Sequence, residues 1–498
     1  MRHHAFLAAS VAALSLAAMP ARADTVNQAA LDGLKAMRAL NLITLGDFSA
    51  AHDVEGKTWV GGNINASSSF TAGLGSSANP GQSAGTSVYA TVTVVGAITG
   101  GGTVNLNDGV SGGGTAGTGH YGAIVGGDSN KINFNANGAT VKIGGSMSGD
   151  VNFGSGGDIS IRGFLNSIAA GDGTTIAVGS TNKVQAGNAS HVEVATGNVS
   201  GDVNIGSGSS VRTGGAVGGL TMGANSTASI SGNVGPNLNL GANDQVVIGG
   251  TYLSQNVNGL PNGTTVTVNG SKQTQNGVPS GWTFNAGVSI TAPSTPPTID
   301  LSADKTLMIA NLQALSAQLN GLSQTTITDL TTPLVVSGSF GVFSMTEAQF
   351  ETQNLNFDTL FTGIGIDKTI VINVAGSNLV EAGGANNNMI SLSQNIIWNF
   401  AGATSLSVKN WSGSILAPNA TVSNSNAING SVVAQLFHQG GEVHLGTFNG
   451  DMVPLVTVPG PPPGDVPEPA SWMTMLLGFG IAGSILRRRR AMPDLAAA

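Results

Sequence analysis

Short apolar-x-apolar triplets, each closed by Gly, Asn, Asp or Ser, run through the first half of this chain and leave few folds open to it. Val141-Lys142-Ile143, Val151-Asn152-Phe153, Ile159-Ser160-Ile161, Ile176-Ala177-Val178 and Val192-Glu193-Val194 are followed by Val203-Asn204-Ile205, Leu220-Thr221-Met222, Leu238-Asn239-Leu240 and Val246-Val247-Ile248. Four of the eight intervals between triplet starts are eight to eleven residues, the spacing of short strands joined by tight turns, and the other four are sixteen to eighteen. Each points two side chains to one side and one to the other, because side chains alternate along a strand. A longer copy, Ser148-Gly149-Asp150-Val151-Asn152-Phe153-Gly154-Ser155-Gly156, returns at Ser200 as Ser200-Gly201-Asp202-Val203-Asn204-Ile205-Gly206-Ser207-Gly208, 52 residues later. That offset holds two or three coils. The pattern predicts a mainly β chain folded as a parallel β-solenoid, or β-helix. An antiparallel β-sandwich is the competing fold, but it usually has longer strands and fewer glycines.

Composition agrees with a packed scaffold. The chain has 74 glycines, 41% hydrophobic residues and no cysteine, so disulfides and thiol chemistry are excluded. The recurring β-branched residues argue against low-complexity disorder, and the missing Gly-X-Y period excludes collagen. Between Asp24 and Pro469, 12 basic and 25 acidic residues leave a net charge of −13. With no basic cluster, nucleic acid is not an expected partner.

One helix is expected in the middle. Asp300 to Asn320 places Met308, Leu312, Leu315, Leu319 and Leu322 on one face, at the spacing of an amphipathic helix. Ser302 is its expected N-cap, Asp304 lies in the first turn, and Asn320-Gly321 closes it. Thr295-Pro296-Pro297 is read as the preceding breaker. The helix is expected to pack alongside the solenoid or cap an open end. Strands resume at Thr369 to Val374, Asn395 to Phe400, Ser405 to Val408 and Ser431 to Leu436.

The two termini read as addresses. Arg2, His3 and His4 precede an apolar run, Ala5 to Ala18, and Ala21-Arg22-Ala23 offers the small residues at Ala21 and Ala23 that signal peptidase requires. Residues 1–23 therefore read as a secretory signal peptide. At the other end a Pro-rich spacer, 456–469, finishes in Pro467-Glu468-Pro469. Ala470 to Leu486 is a short apolar span, and Arg487, Arg488, Arg489 and Arg490 follow as a cationic stop. This order resembles the PEP-CTERM signal of Gram-negative bacteria. The resemblance implies a single transmembrane sorting helix at 470–490, transient anchoring in the inner membrane, processing by an exosortase, and delivery to the cell surface or extracellular matrix.

Several blocks of the exported part resemble the choice-of-anchor A family. They are Asn41-Leu42-Ile43-Thr44-Leu45-Gly46-Asp47-Phe48, Asp53-Val54-Glu55-Gly56-Lys57, Val60-Gly61-Gly62-Asn63-Ile64, Gly341-Val342-Phe343-Ser344-Met345, Ile370-Val371-Ile372-Asn373-Val374, Ile396-Ile397-Trp398-Asn399-Phe400, Gly413-Ser414-Ile415-Leu416-Ala417-Pro418-Asn419-Ala420 and Gly430-Ser431-Val432-Val433-Ala434. The resemblance covers the start and last third of an adhesive domain expected at 24–455, with glycine-rich coils expanded between about 67 and 285. It implies an adhesin or a biofilm protein whose partner is exopolysaccharide or a neighbouring cell surface.

No catalytic cluster emerges from the residues. His438 and His444 are the only close histidines of the exported part, and neither their spacing nor Glu442 between them matches a metal motif, so both read as surface side chains. Asp128, Asp150, Asp158, Asp172, Asp202 and Asp244 read as turn residues; calcium is the alternative, but the nonapeptide calcium repeat is not sustained. No cofactor is expected. A polysaccharide-acting enzyme on a β-helix is the alternative function, with Arg162 and Arg212 its candidate residues. An ice-binding-like surface protein is a third reading, weakened by irregular outward threonines.

Overall fold

Two inward side chains per triplet need a closed interior, and the chain closes it by stacking coils. In the computed structural model, which describes residues 24–25, 27–73, 89–106, 122–134, 137–254, 259–271, 277–352, 355–381, 390–451 and 458–459, every strand pairing within the unit Gln28–Val453 is parallel. Ile159, Ile176, Val192, Val211, Ala228, Val246 and Val266 form one inward column, each in register with the next and all buried. This is the expected parallel β-solenoid. One coil takes 16 to 20 residues and presents three faces. The 52-residue copy spans three coils, because Met147, Leu165, Thr181 and Val199 are successive register partners. In a separate unit, Asp24–Thr25 pairs antiparallel with Val458–Pro459.

The corners show why Gly, Asn and Ser recur. Gly138, Gly156, Gly173, Ala189, Gly208, Asn225, Asn243 and Gly263 form a column of left-handed residues, with φ between 53° and 75°. Glycine adopts that conformation freely and asparagine tolerates it. From Gly173 onward the next residue in each coil belongs to a buried polar ladder. Ser190 N–H donates to Ser209 Oγ (3.0 Å), Ser209 N–H to Ser226 Oγ (3.1 Å), Ser226 N–H to Asp244 Oδ1 (2.9 Å) and Asp244 N–H to Thr264 Oγ1 (3.2 Å). Buried backbone donors at the corner thus find partners in the neighbouring coil.

The stacking order differs from the chain order. Leu42–Thr44 lies between Thr58–Val60 on one side and Val432–Ala434 on the other. From that seam, coils run outward through Val92, Thr140 and His191 to Trp282–Phe284. The chain then returns and builds the opposite arm inward, from Thr325–Thr326 through Phe340–Met345, Thr369–Val374 and Ile396–Asn399 to Val432.

The return is an extended strap. Val288 bonds to Asn269 in both directions, Ser229 Oγ donates to the Thr291 carbonyl, Ser294 meets Glu193 and Thr298 meets Arg162. Seven coil steps separate Val268 from Ile143, or about 34 Å at ~4.8 Å per step. Eleven residue steps from Val288 to Ile299 span about the same distance in a polyproline-like chain rising ~3.1 Å per residue. Thr295-Pro296-Pro297 is therefore part of a measured spacer as well as a breaker.

Two helices lie alongside the first face: α1, Gln28–Ala39, and α2, Ser302–Asn320. Met308, Leu312, Leu315 and Leu319 of α2 are buried as expected. The expected capping differs: Leu301 occupies the N-cap position without a side-chain bond, Asp300 Oδ1 accepts from Ser302 N–H (3.0 Å), and Gly321 keeps a right-handed φ of −85°. The helices bury the outward side chains Ile43, Trp59, Val371, Ile397, Leu416 and Val433. A polar clamp fixes α2: Ser316 Oγ donates to Asn399 Oδ1 (2.6 Å), Asn399 Nδ2 to Asn373 Oδ1 (2.7 Å), and Asn373 Nδ2 to the Leu319 carbonyl (3.0 Å). Among the described residues no helix is long and apolar enough to cross a membrane; the expected sorting helix at 470–490 and the signal segment 1–23 lie outside the described residues.

Candidate functional site

Helices and strap cover the first face, so the outward positions of the other two carry the surface chemistry. On the second face, Ser407, Ser423, His438, Ser49, Asn65 and Thr99 are successive outward partners across the seam. Asn130, Ser148, Asn166, Asn182 and Ser200 continue the row. All are exposed or half-buried. Adjacent rungs, about 4.8 Å apart, bond to one another: His438 Nδ1 to Ser49 Oγ (3.2 Å), Asn182 Nδ2 to Asn166 Oδ1 (3.0 Å) and Ser200 Oγ to Asn182 Oδ1 (3.1 Å). On the third face, Asn152, Ala169, Gln185, Asn204, Thr221 and Asn239 form a second row. Such rows offer repeated hydroxyl and amide groups with almost no charge. They can hold a polar polymer at many points.

The charged residues largely serve the scaffold. Asp128 Oδ1 accepts from Ser146 N–H (2.7 Å), Asp172 Oδ1 from Asn188 N–H (2.6 Å), and Asp244 from Ser226 N–H. Asp150 accepts from Ser167 Oγ and Asn166 Nδ2, which hold its carboxyl below the usual range. These aspartates occupy corners and coil contacts, as the turn reading expects. Asp158 and Asp202 are exposed on their strands.

Arg162 and Arg212 both face the strap. Arg162 bonds Thr298 Oγ1, and Arg212 Nη1 pairs with Glu193 Oε1 (3.1 Å). Glu193 is 7% exposed and accepts from the backbone N–H and the hydroxyl of Ser294. Burial alone would raise its pKa; the Ser294 bonds and His191 (3.3 Å) outweigh burial and hold it below the ordinary value. These groups fasten the strap to the sheet.

His438 and His444, close in sequence and both expected as surface side chains, lie on different faces. His438 joins the second-face row. His444 meets Glu442 Oε2 through Nε2 (3.0 Å) and Asn429 Oδ1 through Nδ1 (3.0 Å). The structure adds Glu55 from the first coil, and one donor atom from each of Glu55, Glu442 and His444 lies within 4.8 Å of the others. Local spacing could not reveal Glu55, which arrives from the far end of the sequence.

Residues 194–445, half of the chain, match the family profile described as "Putative Ice-binding-like adhesive domain". The chain belongs to that ice-binding-like adhesive family. The match begins inside the glycine-rich coils and runs through the helix to the last coil, so the coils from residue 194 onward are part of the family domain. Residues 465–490 match the PEP-CTERM protein-sorting motif. The chain is thus an exported cell-surface protein of a Gram-negative bacterium, and its motif implies processing by an exosortase.

No curated protein matches the chain. Among solved structures, the tapirin C-terminal domain of Caldicellulosiruptor hydrothermalis is similar at 12% identity, covering 82% of this chain and 91% of that one, with a TM-score of 0.34. The tapirin C-terminal domain of Caldicellulosiruptor kristjanssonii aligns at 13% identity over 85% and 98%, with a TM-score of 0.19. An ice binding protein from an Antarctic Flavobacteriaceae bacterium aligns at 13% over 83% and 98%, with a TM-score of 0.16.

Proposed function

We propose that this protein is a non-enzymatic adhesin or matrix protein, holding exopolysaccharide or a neighbouring cell surface through many weak polar contacts along its uncovered faces. The observation that carries this reading is the second-face row from Ser407 to Ser200, which crosses the seam between the two arms with a polar side chain at every rung. The blocks that resemble the choice-of-anchor A family support the same role. Signal peptidase would cut after Ala23. An exosortase would act at Pro467-Glu468-Pro469, with Arg487, Arg488, Arg489 and Arg490 holding the span in the inner membrane until release. Residues 24–455 then form the delivered domain.

Co-sedimentation of purified protein with the producing cells' exopolysaccharide tests the reading. Wild type should pellet with the polymer, and the triple variant Asn65→Ala, Asn182→Ala, Ser200→Ala should lose most of that binding while keeping its β-sheet circular dichroism. Release of soluble sugar, abolished by Arg162→Ala or Arg212→Ala, would support the enzyme alternative instead. The mixed Asn, Ser, His and Thr rungs do not favour an ice-ordering lattice.

A further inference from the structure

The seam between the first and last coils carries a constellation that adhesion does not use. Val54 bridges Val443, Glu55 N–H donates to the Val443 carbonyl (2.9 Å), and Glu55 Oε2 accepts from Leu445 N–H (2.8 Å). That last bond aims the Glu55 carboxylate toward Glu442 and His444, which stand on the neighbouring coil.

The hydrogen-bond roles of His444 follow from Asn429, a buried residue beneath it. Asn429 Nδ2 points at the Trp411 carbonyl (3.5 Å), so its Oδ1 faces the ring and accepts from His444 Nδ1–H (3.0 Å). With Nδ1–H given to Asn429, Nε2 is left as the ring's coordinating atom, and it lies on the side of Glu442 Oε2 (3.0 Å) with Glu55 close by. Three electron-pair donors converge, and the ring is oriented by an amide oxygen behind it, as metal-ligating histidines usually are.

We propose that Glu55, Glu442 and His444 bind one divalent transition-metal cation that staples the two arms of the solenoid at their seam. One imidazole and two carboxylates suit zinc or a similar cation, with water completing the shell. Calcium takes six to eight oxygens and is served poorly here. A tetrahedral zinc with bonds of about 2.1 Å needs its donors about 3.4 Å apart; His444 Nε2 and Glu442 Oε2 stand 3.0 Å apart, and the three donor atoms all lie within 4.8 Å of one another. The site joins residues nearly 390 positions apart, so a bound cation opposes separation of the chain's two ends.

Isothermal titration of the full chain with zinc chloride, and with calcium chloride in parallel, tests the proposal. One zinc should bind per chain, with calcium at least a hundredfold weaker. Glu55→Gln, Glu442→Gln and His444→Ala should each weaken zinc at least tenfold, and saturating zinc should raise the wild-type melting temperature but not theirs. Glu442 is exposed, so its variant reports binding without disturbing packing. His438→Ala, on another face, should bind as wild type does. Absence of stoichiometric zinc binding would leave a simple His444–Glu442 ion pair and overturn the proposal, as would Glu442→Gln and His444→Ala variants that bind zinc undiminished, or calcium that binds more tightly than zinc.

Discussion

Ala189 is the one alanine in a column of left-handed corners otherwise filled by glycine and asparagine, with φ of 53°. A left-handed L-residue costs about 1–2 kcal/mol, while glycine loses roughly 0.5–1 kcal/mol through added freedom in the unfolded chain. Ala189→Gly should therefore stabilise the fold by up to about 1 kcal/mol, read as a higher urea midpoint with an unchanged slope. A second residue-scale prediction concerns Glu193. Its folded pKa is depressed, so its contribution to stability is complete above the ordinary value of 4.5 and is lost as pH falls through the lowered one. Hydrogen exchange at Ser294 N–H, corrected for the intrinsic rate, should accelerate below that range in wild type. Glu193→Gln should remove this acid step. The corner residues were legible because turn chemistry is local. The clasp was not, since nothing near Glu193 in the sequence announces Ser294, 101 positions away.

At the scale of elements, the strand triplets and α2 could be read because their apolar periods are short-range and self-contained. α1 was missed: its stripe is built from small residues, Ala30, Gly33 and Ala36 with Leu34 and Met37, which carry little hydrophobic signal. The structure explains the smallness. A Cβ on Gly33 would come within 2.5 Å of the Asn311 carbonyl oxygen of α2, so the helices touch backbone to backbone there. Gly33→Leu should force them apart and cost about 1–3 kcal/mol or more, as overpacking does. Thermal unfolding checks this, and an unchanged midpoint would contradict the close approach. The strap's composition was legible, but its course was not, because its length has meaning only against the stacked coils it crosses.

For the whole molecule, a solenoid ordinarily couples each coil only to its neighbours. This one places the start of its domain in the middle of the stack. Ser431 Oγ donates to the Met37 carbonyl (2.7 Å), and Asn41 Nδ2 to the Gly430 carbonyl (3.2 Å). Triplet grammar shows that coils exist and which side chains point outward. It does not show in what order they stack, so the continuous polar row, which joins Ser423 and His438 to Ser49 and Asn65, could not be read from sequence. On the proposed reading, that row makes adhesion a property of the assembled stack. Contacts spread over many rungs should weaken in proportion to the rungs removed. The direct test is affinity for immobilised exopolysaccharide along the series Asn65→Ala, then with Asn182→Ala, then with Ser200→Ala. Each lost position should cost about 0.5–1.5 kcal/mol, a drop of roughly two- to tenfold per step, with the drops multiplying. A single substitution that abolishes binding, or a triple variant that binds as wild type does, would contradict the account.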